Sequence, residues 1–386
     1  MKKNILFVVD NLKMGGVTKV LGNLLNRLDY SLYDVDLLIL HYYEDMKFKY
    51  PSSVKIITAG NDLNLIDENI GKLLKEKNVI KIIKKALFAF SIKTGIIKKK
   101  ILNNRKKALN KKYDIEIAFG DGFPYLYTAY GDAKKKIAWM HSDVLVKDYS
   151  ARYYNRMKKA IQSMNACVAV SEKVGESYIK KYSANNVNVI QNVIDDDEII
   201  KKSNLLIQDI EFDKKQLNFI SVGRLDYSKN YEMMLKNAIK LKNEGFNFKV
   251  YIIGDGEEKE KLEKIIIENN MEDVFILCGR RDNPYSYVKN ADMFLLSSRY
   301  EGLPTVIIEA LILHVPCLST DVAGVKQILN GKGGIIAKND DEDFYIKWKN
   351  ILLNQDVITK LKDQLKDYRY DNDVIIKKIN KLFNNA

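Results

Sequence analysis

Glu301 and Glu309, separated by seven residues, bracket the turn Gly302-Leu303-Pro304. The turn follows an apolar run, Ala291 to Leu296, that reads as a buried strand, and it leads into an apolar helix from Thr305 to Leu313. A strand, a tight turn and a helix N-terminus present free backbone N–H groups and a favourable dipole to an anion. Carboxylates touching that anion would repel it, so these two are better suited to holding hydroxyls on either side of a phosphate. Hydroxyls flanking a diphosphate are the pattern of a nucleotide sugar.

Two cations are candidates for the opposing charge. The stretch Ser221-Val222-Gly223-Arg224-Leu225-Asp226-Tyr227-Ser228-Lys229-Asn230 ends a strand in glycine and carries Arg224 and Lys229 in the turn. Arginine offers a planar fork of donors to phosphate oxygens, and lysine a compact point charge. On spacing alone, a pair of surface cations bridging to Asp226 and a neighbour accounts for them equally well. Gly254-Asp255-Gly256 and Cys278-Gly279-Arg280-Arg281-Asp282 close two further strands. Turn chemistry explains the first adequately, and its glycines would also let a nucleotide approach the backbone. All these loops fall at strand C-terminal ends, so they converge on one sheet edge.

The first half carries weaker signals. Asp10-Asn11-Leu12-Lys13-Met14-Gly15-Gly16-Val17 links a strand to a helix, but its spacing is not Gly-x-Gly-x-x-Gly, and a turn without a ligand fits as well. His141 follows a short strand, Lys136 to Met140, at the place where open α/β sheets hold ligands. His41 and His314 are isolated and read as structural. Tyr125, Tyr127 and Tyr130 could stack on a sugar, but helix packing is the simpler account. Asp195-Asp196-Asp197 reads as a solvated run.

Strands alternate with helices along the whole chain, which predicts parallel sheets covered on both faces. Strands are expected at Lys3–Val9, Val35–Leu40, Val54–Thr58, Asp114–Phe119, Ala166–Val170 and Val187–Ile190, and a second series opens at Leu217. The charged stretch Asp195–Lys215 lacks a clean period. The expected division is an acceptor-binding domain over 1–195, a linker over 196–216 and a nucleotide-binding domain over 217–386, with a cleft between the two domains. The tail from Asp341 to Phe383 reads as helices with no chemical motif.

At 386 residues, 46% of them hydrophobic, the chain can bury two cores. No apolar run reaches the eighteen or so residues of a membrane span. Met1-Lys2-Lys3 and the short run to Val9 read as a first strand, not a signal peptide. Cys167, Cys278 and Cys317 stand singly in apolar segments, as buried thiols of a reducing cytoplasm would. The net charge of +13 is uneven, because residues 72–112 carry fifteen Lys or Arg against Glu76 alone. Within a helical segment over 65–112, Leu73, Leu74, Val79, Ile80, Ile82, Ile83, Leu87, Phe88 and Phe90 form an apolar face, with lysines filling the gaps. The lysines either solvate helix faces or make a surface for anionic lipid. Nucleic acid is not the expected partner.

Gly223-Arg224 with Lys229, and the spaced glutamates within Ser298-Arg299-Tyr300-Glu301-Gly302-Leu303-Pro304 and the following helix, resemble the retaining glycosyltransferases of family 4, the glycosyl transferases group 1. Gly15-Gly16 and His141 stand at matching places in the first half. The resemblance implies an α/β chain of GT-B fold: two Rossmann-like doubly wound domains facing across a cleft, with the last helix, about 366–386, returning to the N-terminal domain. It implies that Arg224 and Lys229 bind the donor diphosphate with Gly16 and the amides of Thr305 and Val306, that Glu309 holds the ribose, and that Glu301 contacts the donor sugar. Arg280 would lie beside the base and His141 near the transferred sugar. No metal or other cofactor is expected.

The expected activity is transfer from a nucleoside diphosphate sugar, uridine before guanosine, to a glycan acceptor. The acceptor is expected to be lipid-linked, with the enzyme peripheral to the cytoplasmic face of the membrane and acting in surface polysaccharide synthesis. Transfer to a soluble or protein acceptor is the alternative within enzymes. A non-catalytic, nucleotide-sugar-binding partner subunit is the alternative of another class.

Overall fold

The computed structural model describes residues 2–13, 15–41, 49–60, 63, 70–75, 77–146 and 151–384. The expectation of helix over 65–69 and the lone acid Glu76 therefore lie outside the described residues. The chain divides into two units, Met1–Val193 with Asn372–Ala386, and Ile194–Asp371.

In the first unit the strands are β1 (Lys3–Val9), β2 (Tyr33–Ile39), β3 (Val54–Thr58), β4 (Ile115–Phe119), β5 (Lys135–Met140), β6 (Ala166–Ala169) and β7 (Val187–Val189). The helices between them are α1 (Gly16–Arg27), α2 (Ile70–Lys75), α3 (Val79–Thr94), α4 (Ile96–Ala108), α5 (Phe123–Ala129), α6 (Ala151–Gln162) and α7 (Glu172–Tyr182). The sheet order is β3-β2-β1-β4-β5-β6-β7, and every pairing is parallel. Parallel strands with helices on both faces have no solvent side, so β1 reads as a continuous apolar run, and Ile5 to Val9 are all buried.

The second unit holds α8 (Asp196–Ser203), β8 (Leu217–Val222), α9 (Tyr231–Asn243), β9 (Phe248–Ile253), α10 (Lys259–Glu268), β10 (Phe275–Gly279), α11 (Tyr285–Asn290) and β11 (Met293–Leu296). It continues through α12 (Thr305–Ile312), β12 (Cys317–Thr320), α13 (Val325–Leu329), β13 (Gly334–Ala337), α14 (Asp341–Leu353) and α15 (Asp356–Gln364). Its parallel sheet runs β10-β9-β8-β11-β12-β13. Phe219, Phe248 and the fully buried Trp348 form the aromatic centre of its core, with ring centroids 5.3 and 5.5 Å from the indole.

The last helix, α16 (Asn372–Asn384), belongs to the first unit. Phe383 is buried edge-on against Tyr33 at 5.7 Å, and Lys3 Nζ donates to the Phe383 carbonyl at 2.9 Å. The cations of Lys3 and Lys135 both meet carbonyls of its final turn, where the helix dipole is negative.

The structure corrects four expectations. The stretch 196–216 is not all linker, because Asp196–Ser203 is a helix of the second unit that packs on α11 and α12. Asp195 caps it, accepting from Glu198 N at 3.0 Å, and the neighbouring acids occupy its first turn. Acids there are stabilised by the helix dipole, so Asp195-Asp196-Asp197 is a helix start and not merely a solvated run. His41 is not isolated: its Nδ1 lies 3.0 Å from Asp10 Oδ1 at the end of β1. The apolar face expected over 65–112 is split. Leu73 is buried and Phe88 packs on Phe123 at 5.4 Å, whereas Val79, Ile80, Ile83, Leu87 and Phe90 are exposed.

Candidate functional site

In the second unit the strand order reverses at β8, which lies between β9 and β11. Open α/β sheets place ligands at such a switch point, outside the carboxyl ends of the strands. The two loops that leave the sheet there are 223–230, after β8, and 297–304, after β11. These loops contain Arg224, Lys229 and Glu301, so the topology itself brings together residues about seventy positions apart.

Lys229 Nζ lies 2.5 Å from Glu301 Oε1, and both side chains are mostly buried. Ser298 Oγ donates to the same carboxylate oxygen at 2.8 Å. Ser298 is held in turn, since Thr320 Oγ1 donates to its carbonyl at 2.7 Å from the end of β12. The β8 loop is fastened to the β11 loop by Ser297 Oγ donating to the Lys229 carbonyl at 2.8 Å and by Arg299 N donating to the Ser228 carbonyl at 2.8 Å. Arg299 also stacks over the Tyr227 ring, 4.4 Å from its centroid.

Glycines let this turn close. A Cβ on Gly223 would come within 2.9 Å of Tyr231 Oη and 3.4 Å of Lys229 Cε. A Cβ on Gly254 would stand 1.8 Å from the Gly223 carbonyl oxygen, closer than any packing permits. The two turns therefore rest directly on one another.

Arg224 is exposed and makes only a loose contact, 3.8 Å, with Asp226. Asp226 is itself engaged by Ser228, whose N–H donates to it at 2.9 Å. Thr305 and Val306, both half-exposed, open α12 behind Pro304, which has no side-chain oxygen, so no side-chain cap covers the first N–H groups of the helix. Glu309 is buried one turn further on, on the same helix face as Thr305. Arg280 is exposed beyond β10, while its neighbour Arg281 is paired with Asp209 at 2.5 Å. The structure thus brings Lys229 and Glu301 into contact and places Arg224, Thr305, Val306, Glu309 and Arg280 on the same sheet-end edge.

Gly16 and His141 lie in the first unit. Gly16 begins α1, behind Gly15, with nothing among the described residues within 4 Å of where its Cβ would be. His141 follows β5 and is buried, its ring 4.6 Å from Phe119. Burial pushes its imidazole down to about 4, against the opposing pull of Asp121, so it is neutral at pH 7. Among the described residues its Nε2 has no hydrogen-bond partner. Asp121 accepts from the His141 backbone N–H at 3.2 Å, from Tyr178 Oη at 2.7 Å and from Tyr125 Oη at 2.8 Å. Tyr125 and Tyr127 are buried packing residues. Burial holds the thiol of Cys278 up at about 11 and that of Cys167 up at about 12, which leaves both uncharged.

Sequence reading assigned no role to Ser298, Thr320 or Asp121. Each is a small polar residue at the C-terminal end of a buried parallel strand or just beyond it. That position was the available signal; Ser298 stands three residues before Glu301 in one loop, but placing Thr320 behind Ser298 and Asp121 beside His141 requires knowing which strands are neighbours.

Residues 202–372 match the family model Glycosyl transferases group 1, nearly coextensive with the second unit. An uncharacterized glycosyltransferase of Methanocaldococcus jannaschii is 31% identical over 198 residues, 47% of this chain and 48% of that protein. A Campylobacter jejuni protein named N-acetylgalactosamine-N,N'-diacetylbacillosaminyl-diphospho-undecaprenol 4-alpha-N-acetylgalactosaminyltransferase is 29% identical over 180 residues, 46% of this chain and 47% of its own. The matches with these two curated relatives span about half the length of each. HepE of Anabaena, solved in complex with UDP and glucose, superposes over the whole of both chains with a TM-score of 0.69 at 13% identity. The likeness at that identity is one of fold, and the two parallel doubly wound units are the GT-B fold.

Proposed function

We propose that this chain, whose second unit is a Glycosyl transferases group 1 domain on a GT-B fold, is a retaining glycosyltransferase that moves a sugar from a uridine diphosphate sugar to a lipid-linked glycan. The observation that carries the reading is the Lys229–Glu301–Ser298 cluster at the switch point of the second sheet, beside the open N-terminus of α12. A cation, a carboxylate and a helix N-terminus without a side-chain cap suit a diphosphate with a sugar attached.

In this reading Arg224 and Lys229 bind the diphosphate together with the amides of Thr305 and Val306. Glu309 takes the ribose hydroxyls, Arg280 lies beside the base, and Glu301 takes the hydroxyls of the donor sugar. The bond from the anomeric carbon to the diphosphate oxygen breaks, and a bond from the same carbon to an acceptor hydroxyl forms on the same face. The proton of that hydroxyl passes to the departing diphosphate. Negative charge grows on that oxygen as the bond breaks, and preorganised cations and helix amides lower the cost of forming it. These groups supply the charge that a metal would otherwise bring.

The acceptor assignment is supported by the Campylobacter relative, whose name specifies a diphospho-undecaprenol-linked substrate. The donor base is supported by the UDP bound in HepE. The basic segment 72–112 brings the enzyme to the anionic cytoplasmic face of a membrane, where such acceptors are extended into surface polysaccharide.

Arg224→Ala and Lys229→Ala each lower turnover about a hundredfold or more, the scale of removing one charge-stabilising donor, and leave the melting temperature within a few degrees of wild type. Radiolabelled sugar transfer measures the first and thermal denaturation the second. Near-normal transfer by both variants removes the diphosphate assignment.

A further inference from the structure

Helix α3 is turned over relative to the rule for a surface helix. Ile80, Ile83, Leu87 and Phe90 lie at spacings of three and four residues on one side, and their exposures are 69%, 53%, 48% and 56%. Val79, 62% exposed, extends the stripe at its start. Lys81 and Lys85 are half-buried on the opposite side, towards the body of the unit, and the half-buried Lys84 flanks the stripe between Ile80 and Leu87. In an ordinary amphipathic surface helix the apolar stripe faces the core and the charges face water.

This orientation is fixed by contacts with the body. Phe88 packs edge-on against Phe123, and Ser91 and Ile92 are buried. Arg156 Nε donates to the Ile92 carbonyl at 2.6 Å. Gly95 then turns the chain into α4, which is docked by Asn104 donating to the Ala59 carbonyl and by the buried pair of Arg105 and Glu116. Neither helix can roll to hide the stripe without breaking these bonds.

We propose that the outward face of α3 inserts into the headgroup and acyl boundary of an anionic phospholipid bilayer. This rests on the reading that the enzyme works at a membrane, and it specifies the attachment as apolar insertion in addition to surface charge. A contiguous exposed stripe of large apolar residues marks a binding surface. What covers it follows from charge. Residues 77–112 contain thirteen Lys or Arg and no acid, and Lys77, Lys93, Lys98 and Lys99 are exposed at the ends of α3 and the start of α4. A second copy would set two such segments face to face, whereas an anionic bilayer complements them. Interfacial helices of this type lie in the membrane plane, with the apolar face a few ångströms deep and lysines reaching back to the headgroups. At sixteen residues α3 is too short to span, and no helix of the described residues is long and apolar enough to cross a membrane.

The test is flotation of the full chain with phosphatidylcholine vesicles, with and without phosphatidylglycerol, at low and high salt. The variant Ile80→Ser, Ile83→Ser, Leu87→Ser, Phe90→Ser changes only exposed positions, and circular dichroism melting checks that it folds. Wild type floats with the phosphatidylglycerol vesicles and retains part of its binding in high salt, while the variant binds about a hundredfold more weakly at either salt concentration. Flotation of the variant equal to wild type overturns insertion and leaves a purely electrostatic membrane contact. Failure of wild type to float on any vesicle overturns both insertion and the membrane reading. A wild-type dimer in sedimentation that the variant abolishes, without flotation, assigns the face to a second copy and overturns the proposal.

Discussion

His141 titrates far below an ordinary histidine, and this has a measurable size. Burial lowers its folded value to about 4 from an unperturbed 6.5. Between those values the unfolded chain binds more protons than the folded one, so stability rises with pH through that window. The contribution of the neutral ring is complete above 6.5 and is lost as the pH falls towards 4. The whole interval corresponds to about 3 kcal/mol, at 1.36 kcal/mol for each pH unit. Proton NMR of the ring signals measures the titration directly, because the chain has three histidines and His141→Gln identifies the relevant signal. The expected midpoint is near 4, with no change between pH 9 and about 5.5. Asp121→Asn removes an anion that favours the charged ring and should lower the midpoint further. A midpoint at or above about 6, or one that rises in Asp121→Asn, would refute the argument from burial. If it holds, any acid limb in the pH dependence of transfer belongs to another group, and His141 acts as a neutral hydrogen-bonding ring.

Two further predictions concern the second unit. Ser298→Ala removes one hydrogen bond to the Glu301 carboxylate and should lower kcat about tenfold, the worth of a bond to a charged group. Donor KM should move little, because Lys229 still holds Glu301, and an unchanged kcat would show that Ser298 only packs. Gly254→Ala forces a Cβ against the Gly223 carbonyl and should destabilise the unit by about 2–4 kcal/mol. In Gly16→Ala the new methyl meets nothing among the described residues, so its urea midpoint should match wild type, and equal midpoints for the two variants would contradict the close approach.

Much of this protein was legible in one dimension. Parallel strands buried on both faces must be continuously apolar, so runs such as Ile5–Val9 and Met293–Leu296 announced themselves, and their regular alternation with helices implied two doubly wound units. The last strand of the second sheet, Gly334–Ala337, escaped because four residues behind a glycine-rich turn, three of them half-buried, look like a loop. The helix Asp196–Ser203 escaped because its opening acids look like a linker until they are seen capping it. Glu301, Glu309, Arg224 and Lys229 stood out by type and spacing, since charge beside glycine at strand ends is chemistry that a sequence displays.

Tertiary structure decided what those residues touch. Lys229 meets Glu301 because β8 and β11 are neighbours in the sheet, a pairing set by strand order and absent from any local pattern. Ser298 reaches Glu301 within one loop, whereas Thr320 supports Ser298 only because β12 lies beside β11. The orientation of α3 shows the limit most clearly. Periodicity reveals that a helix has two faces, but which face turns outward depends on what the rest of the unit offers it. Here Phe123, Arg156 and the docked α4 hold the lysine side inward and leave Ile80, Ile83, Leu87 and Phe90 exposed.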